Sequence, residues 1–139
     1  MTDQFVESSP TVLAPTRRHR RTLLTMESAM AVFGLGGGIM LMSGYGTPPV
    51  EAISSLGLSS WVLPGVWLTA SVAIPSAGGA YLAWRGSPLT PRAVMVASGL
   101  LAAELLVQIP FLGVNGLQAA MALIGGTAAA LAWHARRTW

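Results

Sequence analysis

The sequence predicts an all-α integral membrane protein, an up-and-down bundle of four transmembrane helices. Three observations predict it. Four apolar stretches, at about 22–44, 60–84, 93–112 and 117–133, reach or approach the roughly 20 residues that a helix needs to cross the hydrocarbon core. Hydrophobic residues make up 53% of the chain and charged ones only 9%, against about 25% charged in a soluble domain. All eight basic residues are arginines, and none lies inside a stretch. No alternating strand pattern is present, so a closed barrel is excluded and helices are left to satisfy the backbone in lipid.

The elements follow in order. Residues 1–21 are polar at first and basic at the end, with two prolines and the acids Asp3 and Glu7. They read as a disordered basic cytoplasmic tail. A secretory signal would place its basic residues first and a shorter apolar core behind them, so 22–44 reads as a retained anchor. The connection 43–60 holds Thr47, Pro48 and Pro49, then Val50, Ile53, Leu56 and Leu58 among small polar residues. It is either a short helix lying at the outer surface or an ordered loop packed on the bundle. Pro75 predicts a kink in the second span, its lost hydrogen bond recovered by Ser71 or Ser76. Trp84-Arg85 and Trp133 with Arg136 and Arg137 read as interfacial anchors, with Trp61 and Tyr45 marking the other interface. The fourth span ends in a short tail, 135–139.

The arginines carry the orientation. Arg17, Arg18, Arg20 and Arg21 precede the first span, Arg85 and Arg92 separate the second from the third, and Arg136 and Arg137 follow the fourth. The other two connections have no basic residue. Basic flanks are retained on the cytoplasmic side during insertion, which implies a multi-pass protein of a bacterial cytoplasmic (inner) membrane with both termini inside. The formal charge of +3 then faces anionic lipid headgroups rather than nucleic acid. With no cysteine in the chain, disulfides, thiolate metal sites and dithiol redox chemistry are excluded.

Two ionisable residues fall inside the spans. Glu27 is within about 10 Å of the basic end at 1.5 Å per residue. It is either an acid tied to Arg21 or Arg85 or a secondary functional candidate. Glu104 lies past the midpoint of the third span, with Gln108 one turn on along the same face. Pro110 interrupts the backbone bonding beyond it, and Asn115 and Gln118 follow across a short turn. Glu104, Gln108, Asn115 and Gln118 therefore form a candidate polar site, serving either as a proton or ligand site or as an interhelical clamp. A glutamic acid there could donate a hydrogen bond to Gln108 or to a neighbouring helix. Each clamp bond would contribute about 0.6–2 kcal/mol.

Small residues at helical spacing mark packing faces: Gly34 with Gly38, Gly99 with Ala103, and Ala122, Gly126 and Ala130. Such rows let membrane helices approach closely, and Gly34–Gly38 is read as internal. His19 and His134 sit near the basic ends, so no converging haem or metal ligands are expected. Neither a cofactor nor an enzymatic site is read from the chain.

The early Glu27 with its glycine-rich continuation, Leu63-Pro64-Gly65 opening the second span, and Glu104-Leu105-Leu106-Val107-Gln108 followed by Leu117-Gln118 resemble small four-span bacterial membrane proteins of unknown function. The resemblance covers the chain from Thr22 onward and implies the same fold, with no activity attached. The small multidrug exporters share four spans and an early glutamate. They differ in that Glu27 is shallow here, and complete segregation of arginines is incompatible with insertion in two orientations.

These readings imply a non-catalytic accessory or structural subunit, with another membrane protein or its own copies as partner and the bilayer as solvent. The alternative is a small proton-coupled transporter using Glu104. The orientation is tested by single cysteines in this cysteine-free chain. A membrane-impermeant thiol reagent applied to intact cells is expected to label Ser55→Cys and spare Ser87→Cys. The reverse pattern would overturn the threading.

Overall fold

A chain this apolar has to close its backbone hydrogen bonds within each segment. The computed structural model, which describes residues 13–137 and 139, does so with helices and, among the described residues, no strand. Helix α1 runs over Leu13–Ser43. The second span is composite, with α2 at Val62–Leu68, a π-helical turn at Thr69–Ala73 and α3 at Ile74–Arg85. Helices α4 (Thr90–Leu112) and α5 (Gly116–Ala135) complete an antiparallel bundle of four apolar helical spans. The first, the 85–92 turn and the last meet at one end, where the Trp139 indole donates to the Ser87 carbonyl at 2.6 Å. All eight arginines therefore lie toward that end.

Three departures from the sequence reading have local causes. The basic cluster 17–21, read as part of a disordered tail, is helical because α1 begins at Leu13. Arginine and leucine favour helix, and Pro15 sits in the first turn, where its missing N–H costs nothing. Residues 1–12 of that tail lie outside the described residues. At the other terminus Trp139 is not a free tail residue, since it also packs against the Leu23, Val94, Ala128 and Ala132 cluster. In the second span Pro75 does remove the donor owed to the Ser71 carbonyl. The loss is absorbed by the π turn, in which the Ile74 N–H reaches back to the Thr69 carbonyl. The Ser71 hydroxyl does not recover it and donates to the Trp67 carbonyl at 2.8 Å instead.

The connection after α1 turns at Gly44 and Gly46, both with positive φ, and forms a 3-10 helix at Val50–Leu56. Its Ile53 is 2% exposed, so this helix is packed down on the bundle. Trp61, read as an interfacial anchor, is buried as well. Its indole donates to the Pro48 carbonyl at 2.8 Å and ties the connection to the start of α2.

Close backbone approach sets the packing of α1. A Cβ on Gly38 would lie 2.9 Å from the Gly65 carbonyl oxygen and overlap the Thr69 hydroxyl, and one on Gly34 would lie 3.0 Å from the Ala73 nitrogen. In α5 the inward row is Gln118, Met121, Gly125, Ala128, Ala132 and Ala135, with Gly125 opposite Leu101. The small-residue row seen in the sequence, Ala122, Gly126 and Ala130, lies one residue away from this one and is exposed. Gly99 and Ala103 are exposed too, and no heavy atom stands within 4 Å of a Cβ on Gly99 or Gly126. Two apolar clusters fill the interior, the one around Leu23 and Val94 and a second of Met30, Leu68, Val72, Leu101 and Met121.

Gly38→Leu is expected to lose about 1–3 kcal/mol of stability through overpacking, whereas Gly126→Leu should leave stability unchanged. Heating the detergent-solubilised protein and following loss of the monodisperse species separates the two.

Candidate functional site

The polar residues of the third and fourth spans meet at the end away from the arginines. Asn115 has an extended backbone and caps α5. Its side-chain oxygen accepts the Gln118 N–H at 2.9 Å, and the Gln118 side-chain oxygen accepts the Asn115 N–H at 3.1 Å. This reciprocal pair satisfies two backbone donors that a helix start leaves open. It also sets a direction. With Oε1 of Gln118 committed to a backbone N–H, which can only donate, the amide nitrogen of Gln118 is the group turned toward Gln108. It donates to Gln108 Oε1 at 3.4 Å. Gln108 Oε1 is then an acceptor, and its own nitrogen donates to Glu104 Oε1 at 3.0 Å.

The other carboxyl oxygen of Glu104 faces the second span. The Trp67 indole donates to Oε2 at 2.6 Å, and the Ser71 hydroxyl, shared with the Trp67 carbonyl, stands 3.4 Å away. An indole N–H has no acceptor role. Glu104, 7% exposed, is thus surrounded by donors, and the hydrogen bond to Gln108 runs opposite to the one expected from sequence. The four residues of the sequence-derived cluster do come together. Trp67 and Ser71 were missed, although their signal was present: an indole five residues, about 7.5 Å, inside a span that starts at Val62, followed four residues later by a hydroxyl on the same face. The capping box was legible too, as Asn-x-x-Gln at a helix start.

Beside this network lies a cavity of about 290 Å³ under the 3-10 helix, walled by Ile53, Leu56, Trp61, Trp67 and Phe111, with Glu104 and Gln108 at its polar side. Pro110 is accommodated within α4, which continues to Leu112.

Glu27 is placed differently from the sequence reading. It is 2% exposed and shares an inward face with Leu23 and Met30, at i, i+4 and i+7 spacing. That rotation turns its carboxyl into the bundle, against Gly79 of α3, where a Cβ would lie 3.1 Å from Oε2. Among the described residues no salt bridge reaches it; the Ser76 side chain hydrogen-bonds its carboxyl, and Oε2 has no hydrogen-bond partner. Arg21 is exposed, and the Arg85 guanidinium lies 5.9 Å from the Tyr81 ring centroid. The Arg136 guanidinium stacks on Trp133 at 3.2 Å.

Comparison with protein families, with curated proteins and with solved structures finds no match.

The two glutamates are expected to respond oppositely to apolar replacement. Glu104→Leu strands the Trp67 and Gln108 donors and should cost about 1–3 kcal/mol per unsatisfied group. Glu27→Met removes an unpaired buried oxygen together with the bond to Ser76, whose hydroxyl can turn to its own helix carbonyls, and should leave stability unchanged or raised. Apparent melting temperatures in detergent would show it, and a large loss for Glu27→Met would contradict the isolated environment described.

Proposed function

We propose that this chain is a non-catalytic subunit of a bacterial cytoplasmic membrane, accessory or structural, that packs against a larger membrane complex or against its own copies. The observation that carries this is an open groove of about 770 Å³ along α4 and α5, lined by Gly99, Ala102, Ala122, Gly126 and Ala129. Lipid-facing helices have no reason to present glycine and alanine, because those residues contribute little to packing against acyl chains. Small residues let a neighbouring helix approach closely, which is how membrane helices associate. The groove lies on the outside of the bundle, so its complement comes from another molecule. The arginines at one end support an orientation with both termini in the cytoplasm, and the kinship with small four-span bacterial membrane proteins belongs to the same proposal.

A second reading, a small proton-coupled transporter, is favoured by one observation: Glu104 and its directed network sit beside a cavity and bond to a second span that contains a π turn, an irregularity common at functional sites. The two readings separate in one preparation. Under the first, crosslinking in native membranes captures a membrane protein or further copies, and Gly126→Leu abolishes the capture without unfolding the chain. Recovery from native membranes solely as a monodisperse monomer would overturn it. Under the second, vesicles reconstituted with the pure chain show proton or solute flux that Glu104→Gln abolishes.

A further inference from the structure

The cavity beside Glu104 has a chemistry that selects among ligands. Its walls are apolar and aromatic, and among the described residues Glu104 is the only ionisable one lining it. The partners of that carboxyl are an indole, a hydroxyl and an amide, all neutral. No described cation is paired with it. The arginines cluster at the opposite end of the bundle; Arg92, on the same helix, is about 18 Å away at 1.5 Å per residue. Two carboxyl oxygens offer about four acceptor positions. Trp67, Ser71 and Gln108 take three, which leaves one on Oε1.

We propose that this cavity binds a lipophilic organic cation, a substituted ammonium carried on a small aromatic or alkyl body. The ammonium group takes the place of the missing positive partner at Glu104 Oε1, and its substituents lie against the rings of Trp61 and Trp67, whose faces attract a cation. The apolar body fills the space bounded by Ile53, Leu56 and Phe111. A volume near 290 Å³ stands just below the range for small-molecule sites, about 300–1,000 Å³, which favours a compact cation over a long-chain lipid. An anion is repelled by Glu104, and a neutral molecule gains at most a hydrogen bond to the open position on Oε1. The capping box reinforces the selection. Because Asn115 N–H orients Gln118 and Gln118 orients Gln108, the amide of Gln108 presents its nitrogen to Glu104, and its oxygen is held by Gln118 and does not compete with the carboxyl for the cation. This inference rests on the site of the second reading above and not on flux.

The test uses the whole chain in a non-ionic detergent, with nitrogen-15 in its indole groups. The probes are benzyltrimethylammonium and its neutral isostere neopentylbenzene, in which carbon replaces the charged nitrogen. Benzyltrimethylammonium is expected to shift the indole signals of Trp61 and Trp67 saturably and to leave those of Trp84 and Trp133 in place. The neutral isostere should bind at least about tenfold more weakly, as should the cation to Glu104→Gln, a difference of the size a cation–carboxylate contact at a desolvated site supplies. Equal affinity for both probes, unchanged cation affinity in Glu104→Gln, or the absence of a saturable shift would each overturn the proposal. Saturable, Glu104-dependent binding without flux in vesicles would uphold the site and remove the transport reading.

Discussion

Everything at the arginine-free end depends on how closely α1 lies against the second span. In lipid there is no hydrophobic force to press helices together, so contact relies on backbones that can touch. Gly38 and Gly65 permit it, to the point that a Cβ on Gly65 would stand 2.7 Å from the Gly38 carbonyl oxygen. That contact fixes the rotation of the second span. Trp67 and Ser71 then face α4, and Glu104 acquires its donors. The π turn at Thr69–Ala73 belongs to the same arrangement, because it meets α1 at Gly34 and absorbs the donor that Pro75 lacks. A side chain larger than hydrogen at these glycines would separate the helices and disturb the site without touching Glu104.

The bundle holds two buried glutamates in contrasting surroundings. Glu104 receives hydrogen bonds on both oxygens, and the direction of those bonds is imposed from a helix cap two residues beyond the end of α4's closing turn. Glu27 sits between two apolar clusters with an oxygen that has no partner. A buried polar group left unsatisfied is costly. A satisfied network in a low-dielectric interior is rigid and specific. The proposed binding site therefore rests on the directed network and its cavity, and the proposed partner surface on the small-residue groove across α4, with Gln118 common to both.

Much of this was legible in residues. Span number and the segregation of arginines follow from one-dimensional patterns, since a bilayer imposes a length on every crossing and a charge rule on every flank. The grouping of Glu104, Gln108, Asn115 and Gln118 was also legible, because it is local: one helical turn and one short connection bring the four together. Trp67 and Ser71 were not grouped with them, because they are 37 and 33 residues away in sequence from Glu104 and only packing unites them. The small-residue row of α5 at Ala122, Gly126 and Ala130 was visible in the sequence without a face assigned to it, and the inward row is one residue away, a rotation of about 100°. In a helix composed almost wholly of alanine, glycine and leucine, polarity does not distinguish the two faces.

By itself, then, the sequence determined the four-helix membrane architecture, the end of the bundle at which every arginine lies and the existence of a polar cluster in the third and fourth spans. Those are consequences of hydropathy, charge and helical spacing, which need no knowledge of neighbours. The tertiary structure was needed to show that Glu27 faces inward with one carboxyl oxygen unpaired, that Trp61 is buried and Trp139 half-buried, each tying a connection to the bundle, that Glu104 accepts hydrogen bonds on both oxygens, and that Gly99 and Gly126 line an open groove. Each of these turns on the rotation of one helix against another. In a chain this uniformly apolar, that rotation is set by steric fit between glycines and side chains distant in sequence.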